Sequence, residues 1–392
     1  MPEHRAPIVV LDALVDNDYS LCLCNGLAAA GADVRLITVE GRTAELPITF
    51  PMYGWSPAKA GGGSAASKLW PYIRYWLRVL RLGQQVKRAG GVLHFQFFRR
   101  ERVDSLFVAL LRLLGVPLVH TAHNIVPHEH GVVDRWLKGL VYRSVHRIIV
   151  HSDYIRRVLL EQFGVEQEKV HVVPHGNFDH HVPATTPTRA DAGATLGLPA
   201  DAIVTLFFGY IRAYKGLDLL LDAFEAVAAA EPRAWLVVAG RPHTEADGVR
   251  YREQIAAHPA AERIVFHGRF IANDEVATYF TAADLVALPY RHIYHSGLVH
   301  LAFSFGKAVL ATRVGDFPET IEDGRTGLLV DAGSTPRLAE GLLAALADPS
   351  RLAEMGALAQ AESATTYGWP AIGARTCAVY ASMLSGRVRR AT

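Results

Sequence analysis

Short aliphatic and β-branched runs alternate along the chain with longer stretches in which apolar positions return every three to four residues. This alternation predicts parallel sheets assembled from βαβ units, since buried strands read as brief apolar runs and crossover helices show one apolar face. In the first half the predicted strands cover 7–14, 33–39, 48–52, 91–98, 117–123, 147–152 and 169–176; in the second they cover 202–210, 234–242, 263–270, 284–290, 308–315 and 326–330. Between the two sets, 177–201 is rich in Pro, Thr, Ala and Gly, the composition of a linker with one short helix, and the boundary is expected near 183–190. The expected organisation is an N-terminal domain over 1–185, a C-terminal domain over 186–366 and a terminal segment over 367–392. Within that segment, 369–384 reads as a helix with Ile372, Val379, Tyr380 and Met383 apolar, able to pack on either domain.

Composition fits this picture. Half of the 392 residues are apolar, and single cores rarely grow past about 250–300 residues, so two domains are expected. The 40 basic and 38 acidic residues nearly cancel, which argues against a nucleic-acid partner. The charge is uneven, with 21 basic against 16 acidic residues in 1–180 and 19 against 22 in 181–392. Cys22, Cys24 and Cys377 are too few for a disulfide framework, and the Cys-x-Cys pair has no second pair to complete a zinc site, so a reducing cytoplasm is expected. The first apolar run is strand-sized and ends at Asp16, Asn17 and Asp18, unlike a signal segment. No run approaches the roughly 20 apolar residues of a membrane span.

Candidate chemistry gathers where predicted strands end. The run FFGYIRAYKGLDLLLDAF (207–224) ends a strand at Gly209 and delivers Arg212 and Lys215 into the turn before a helix that starts near Gly216. Two cations beside a helix N-terminus, at the carboxyl edge of a parallel sheet, form an anion site. HTAHNIVPHEH (120–130) follows another strand and brings together imidazole, amide and carboxylate groups. These are metal-ligand types, but their spacing matches no familiar metal motif. The first strand is followed by Asp16-Asn17-Asp18-Tyr19 and not by a Gly-x-Gly-x-x-Gly turn, which argues against a dinucleotide dehydrogenase.

The order of these segments resembles the retaining glycosyltransferases of family 4, also called group 1. In the second half the matching runs are 207–224, WLVVAGRP (235–242), RIVFHGRFIANDEVATYFTAADLVALPY (263–290) and SGLVHLAFSFGKAVLATRVGDFPETIEDGRTGLLV (296–330). HTAHN (120–124), RIIVHSDYIRRVLLEQFG (147–164) and KVHVVPHGNFD (169–179) match at the corresponding places of the first half, and together the runs cover about two thirds of the chain. The resemblance implies an α/β GT-B fold, two Rossmann-like parallel-sheet domains facing each other across a cleft. It implies sugar transfer from a nucleotide-diphosphate sugar, UDP- or GDP-linked, to a sugar or lipid-linked acceptor such as a polysaccharide precursor, with no cofactor and no bound metal. By the same resemblance His123 meets the donor sugar near the reacting carbon, while Arg212 and Lys215 stabilise the leaving diphosphate. Gly209, Gly240, Arg241, Arg269, Phe270, Tyr294, His295, Ser296, Gly297, Leu298 and Glu319 fall to the donor, and Asn17, Asp18, Tyr19, Asn124 and Glu129 to the acceptor. Two departures stand out. The family arginine more usually follows the glycine directly, where this chain has Tyr210; and Ile293 and Leu301 occupy the places of the two glutamates of a Glu-x7-Glu motif, leaving His292, Tyr294 or His295 as substitutes. A degenerate relative that binds nucleotide sugar or a partner without catalysis, and a related pseudo-glycosyltransferase or epimerase, therefore stay open beside the transferase.

One stretch stands apart from this frame. From Glu45 to Glu101 there is no acidic residue between and there are nine basic ones. Within it, 68–88 places Leu69, Ile73, Trp76, Leu77 and Leu80 on one helical face, with Arg74, Arg78 and Arg81 opposite or flanking. A cationic helix with tryptophan and tyrosine suits peripheral contact with the inner face of a membrane. The same pattern suits an ordinary crossover helix packed on its own sheet, and the two readings are compatible.

Overall fold

The computed structural model describes residues 6–14, 18–44, 46–56, 65–123, 125 and 132–391. The chain divides into two compact units, 1–176 with 368–392 and 177–367. In the first unit the strands are β1 (Ile8–Asp12), β2 (Val34–Val39), β3 (Met52–Ser56), β4 (Val92–Phe97), β5 (Leu118–Thr121), β6 (Arg147–Val150) and β7 (Val170–Val172). They form one sheet in the order β3-β2-β1-β4-β5-β6-β7, parallel throughout. The second unit repeats the plan with β8 (Ile203–Phe208), β9 (Ala234–Ala239), β10 (Ile264–His267), β11 (Leu285–Leu288), β12 (Ala308–Thr312) and β13 (Gly327–Val330). Their order is β10-β9-β8-β11-β12-β13, again all parallel. Each sheet thus reverses its strand order once, beside β1 in the first and beside β8 in the second. Such a reversal opens a crevice at the carboxyl ends of the strands.

Both faces of the second sheet are buried. Phe207, Leu236, Val238, Leu285 and Leu310 point into one apolar cluster, while Leu206, Phe208, Val237, Leu288 and Val309 point into the other. That explains why these strands read as continuous apolar runs and not as alternating ones. In the first unit, β1, β2, β4, β5 and β6 contribute to a cluster closed by helices Tyr19–Ala29 and Trp369–Ala391. The terminal helix therefore packs on the first unit. It crosses the other helix at Gly26 and Gly373, where a Cβ on either glycine would lie 2.2 Å or 2.1 Å from a backbone oxygen of the opposing helix.

Two expectations are corrected. The strand expected over 48–52 lies at Met52–Ser56. Neither Pro47 nor Pro51 has an N–H to donate to a ladder, and the intervening residues are held sideways by Asn25, which donates to the Pro47 carbonyl (2.8 Å) and accepts from Thr49 N (3.1 Å). In helix Ala65–Arg88 the buried face is Tyr72, Tyr75, Trp76, Val79 and Val86, and Leu77 faces solvent at 44% exposure. The Tyr72 hydroxyl and the Trp76 indole N–H (2.9 Å) turn inward to donate to Asp104 Oδ1, whose Oδ2 accepts Arg99 N and Arg100 N at 3.0 and 2.9 Å. A buried carboxylate with those four donors decides the helix rotation. Right-handed crossovers put this helix, Glu101–Leu113 and Val132–Ser144 side by side on one face of the sheet. Trp76 stacks on Phe107 (4.9 Å), and Arg102 Nε donates to Asp134 at 2.9 Å. Among the described residues no helix is long and apolar enough to cross a membrane.

The Gly26–Gly373 crossing yields a test. Gly26→Val pushes a branched side chain into the Trp369 carbonyl and should cost about 3 kcal/mol, read as an earlier thermal melt. A melt unchanged from the parent chain would show that the terminal helix does not pack as described.

Candidate active site

In the second unit the chain leaves β8 through Gly209, at φ 87, and runs through Arg212 into a short 3-10 turn, Ala213–Lys215. Gly216, at φ 71, then caps helix Leu217–Ala230. Only glycine fits there, because a Cβ would stand 2.1 Å from the Pro289 carbonyl oxygen that follows β11. Gly240, after β9, meets a similar limit: its Cβ would lie 2.0 Å from the Gly209 carbonyl oxygen. The strand ends thus approach backbone to backbone at the reversal of the sheet. Arg291 locks the turn by donating to Ala213 O at 2.9 Å and to both Asp218 oxygens at 2.8 and 2.6 Å.

This frame fixes Lys215. Its Nζ lies 3.4 Å from where a Gly209 Cβ would be and 5.6 Å from the centre of the Tyr290 ring. Among the described residues no carboxylate, carbonyl or hydroxyl pairs with its ammonium, and the exposed Arg212 likewise has no acidic partner. Loss of water and, secondarily, the Arg212 charge lower the Lys215 pKa to about 8. Two unpaired cations at a carboxyl strand edge provide attraction for an anion that the protein itself leaves unsatisfied.

Beside the cations a cavity of about 220 Å³ is lined by Phe208, Gly209, Tyr210, Gly240, Arg241, Phe270 and Leu301, among others. Phe270 is 61% exposed, so an aromatic face is available there. Arg241 is exposed at the same lining. Leu301 brings an apolar side chain where the family pattern has a glutamate. Arg269 is committed elsewhere: it forks onto Glu275 at 2.7 and 2.5 Å, and Glu275 Oε2 in turn accepts Ala272 N (3.1 Å) at the start of helix Asn273–Ala282. Further along, Ser296 Oγ accepts Leu298 N (3.4 Å) at the start of helix Gly297–Ser304, and Gly297 leaves room for the Phe178 ring. His295 Nδ1 bonds Asp316 Oδ2 at 2.6 Å, and both groups are well shielded. Asp316 was missed in the sequence reading, which singled out Glu319 three residues on; Glu319 is exposed on the short helix Phe317–Thr320. Tyr294 lies half-buried beside His295 in the irregular segment before that helix start.

In the first unit His123 follows β5 and is half-buried. Phe97 stacks on its ring at 4.1 Å, and Tyr19 meets it edge-on at 4.6 Å. Both ring nitrogens bond within the unit: Nε2 to Gln96 Oε1 at 3.0 Å and Nδ1 to His151 Nε2 at 3.1 Å. A cavity of about 80 Å³ opens beside His123, Gln96, His120 and Lys138. Burial lowers the His120 pKa to about 4 and keeps that ring neutral. Tyr19 is buried, and Asp18 immediately precedes its helix. Asn17, Asn124 and Glu129 lie outside the described residues. Sequence reasoning also missed the ion pair of Asp12 and Arg42 (3.1 Å, both buried) at the end of β1. Arg42 Nη1 further donates to Leu14 O and Thr38 Oγ1, so it fastens the start of the loop that leads to Asp18.

Comparisons with known proteins agree with this architecture. Residues 189–362 match the family model described as glycosyl transferases group 1, and residues 19–177 match that described as Glycosyltransferase Family 4. The D-inositol 3-phosphate glycosyltransferase of Kineococcus radiotolerans is 32% identical over 98% of this chain and 94% of its own length. That of Xylanimonas cellulosilytica is 31% identical over 95% and 93%. Among solved structures, sucrose-phosphate synthase from Thermosynechococcus elongatus superposes with a TM-score of 0.75, covering 97% of this chain and 100% of that one at 20% identity. HepE from Anabaena, solved with UDP and glucose, gives 0.73 over 96% and 100% at 19% identity.

The half-buried ammonium predicts a stability trade. The unfolded chain holds Lys215 near its ordinary pKa of about 10.4 and the folded one near 8, so unfolding takes up a proton between those values and stability rises with pH across that window. Lys215→Met should therefore melt later at neutral pH, by on the order of 2 kcal/mol, with the gain fading above about pH 10. Equal melting of the two proteins at neutral pH would mean that the ammonium is fully solvated.

Proposed function

The chain belongs to the group 1, family 4 glycosyltransferases of the GT-B fold, and from that premise we propose that it is a retaining enzyme that moves a sugar from a UDP- or GDP-linked donor to a hydroxyl of an inositol-phosphate type acceptor. The observation that carries the donor side is the unpaired Lys215 ammonium beside Arg212 at the end of β8. A nucleoside diphosphate supplies the missing counter-charge, and its nucleoside suits the cavity framed by Tyr210, Phe270 and Leu301. The acceptor class follows from the activity for which the relatives of Kineococcus and Xylanimonas are named.

In the proposed reaction the acceptor oxygen approaches the anomeric carbon on the face that the diphosphate leaves. The bond from that carbon to the β-phosphate oxygen breaks with its electron pair going to the phosphate, the new C–O bond forms, and the acceptor proton passes to the departing phosphate oxygen. Negative charge grows on the leaving group as the bond stretches, so Lys215 and Arg212 stabilise the transition state more than the bound donor. Backbone N–H groups at Ser296, Gly297 and Leu298 complete the phosphate and sugar contacts. His123 meets a sugar hydroxyl through Nε2, which exchanges its Gln96 partner for the ligand. No metal is required, because the cations of the chain carry the charge.

The outer surface of the three-helix layer supports peripheral contact with an anionic membrane. Trp70, Leu77, Leu106, Leu110, Leu113 and Trp136 are exposed there, at 39–84%. Over 65–144 the chain carries 13 basic and four acidic residues, and one of those acids, Asp104, is buried. Apolar side chains interleaved with arginines fit a lipid headgroup region.

Transfer assays with UDP- and GDP-sugars and inositol phosphate test the reaction. Lys215→Ala should lower kcat about 10²-fold without unfolding the chain, and a near-normal rate would remove its proposed role. Nucleotide binding with no turnover on any acceptor would favour a degenerate binder, the reading that Leu301 motivates. For the membrane, reversing Arg74, Arg78 and Arg81 to Glu should weaken cosedimentation with phosphatidylglycerol vesicles about 10²-fold or more. Unchanged cosedimentation would show that this face does not meet lipid.

A further inference from the structure

Side chains from the carboxyl ends of successive strands form a hydrogen-bonded row in the first unit. Gln96 lies near the end of β4, His123 follows β5, His151 follows β6 and the Val173 carbonyl follows β7. His123 Nε2 faces Gln96 Oε1 at 3.0 Å, His123 Nδ1 faces His151 Nε2 at 3.1 Å, and His151 Nδ1 faces Val173 O at 3.1 Å. His151 is 5% exposed, so its ring is held inside the unit. The aromatic contacts of His123 to Phe97 and Tyr19 fix its plane.

The two ends of the row can only accept. A backbone carbonyl and a carboxamide oxygen have no proton to give, so His151 Nδ1 and His123 Nε2 each carry hydrogen. The two inner nitrogens need another, because lone pairs facing each other at 3.1 Å repel. Two neutral imidazoles own two N–H groups between them, and this row contains three. We propose that His151 is a positioning residue for His123, and that the two rings hold one proton in common between His123 Nδ1 and His151 Nε2. The inference rests on the role given to His123 in the proposed function. It deepens that role: an imidazole clamped from Nδ1 keeps Nε2 as a donor, aimed where a ligand oxygen can replace the Gln96 oxygen.

Among the described residues, the titratable rings packed on the pair are Tyr19, 5.5 Å from His151 by ring centres, and His175, 5.1 Å from it. Burial pushes the Tyr19 hydroxyl far up, so it stays protonated. On the far side of Gln96, burial lowers the His94 pKa to about 3 and keeps that ring neutral, bonded to Tyr380 OH and Thr121 Oγ1. A half-turn of the Gln96 carboxamide would offer its NH2 to His123 and abolish the need for the third proton. The experiment must separate these two arrangements.

Ring-nitrogen NMR of the full chain labelled with 15N-histidine does so, with His151→Gln and Gln96→Leu used for assignment. The expected spectrum at neutral pH has protons on His123 Nε2 and His151 Nδ1 and a third shared between the rings, lost in one common step as the pH rises. Two neutral rings with His123 Nε2 unprotonated would overturn the shared proton. In transfer assays, His151→Ala should lower kcat about tenfold or more and change its pH profile, with KM for the nucleotide sugar within about twofold. His151→Gln, whose amide NH2 can donate to Val173 O and to His123 Nδ1 and so keep Nε2 protonated, should recover most of the rate. A parental kcat and pH profile in His151→Ala would overturn the positioning role. If the parent chain transfers no sugar at all, the proposed function fails, while the NMR spectrum still decides the proton arrangement.

Discussion

An ammonium drawn out of water with no carboxylate beside it is unfavourable for a folded protein, and the second unit is arranged around one. Lys215 can occupy its place only because Gly209, Gly216 and Gly240 let the ends of β8, β9 and β11 come together without Cβ atoms between them. Asp218, three residues on, is forked onto Arg291 and not onto Lys215. Among the described residues the positive charge is left without a counter-charge. A stability cost borne at the functional site and offset by a core buried on both faces of the sheet is the usual compromise in such proteins.

The first unit solves a different problem with the same sheet geometry. Parallel strands present their carboxyl ends side by side, so residues far apart in sequence form a continuous row. There the row is made of neutral and shared-proton groups, Gln96, His123 and His151, not of fixed cations. Packing on Phe97 and Tyr19 removes the rotational freedom that an isolated histidine in a loop would keep. One unit therefore holds two unpaired cations at its strand edge, and the other holds an oriented imidazole.

Buried polar pairs do much of the remaining specification. Asp104 draws Tyr72 and Trp76 inward and so turns Leu77 and the arginines of that helix outward. Asp12 and Arg42 hold the Leu14 backbone just after β1. In each case a carboxylate that burial would otherwise make costly is satisfied by several donors. The arrangement then dictates orientation as well as stability.

Much of the fold was legible in the order of residues alone. The alternation of apolar runs with helical stretches determined two parallel-sheet halves, because strand and helix periods are local properties of the chain. The Gly209-to-Lys215 turn could likewise be located, since a glycine, two cations and a helix start are neighbours in sequence. What required tertiary structure was everything that depends on partners distant along the chain. The displaced β3 depends on Asn25, the rotation of the basic helix on Asp104, and the commitment of Arg269 on Glu275. The hydrogen-bond partners of His123 come from two other strand ends, and the hold on His295 comes from Asp316. Sequence shows which groups are present; only folding decides which donor meets which acceptor, because a buried hydrogen bond is chosen by proximity in space and not by spacing along the backbone.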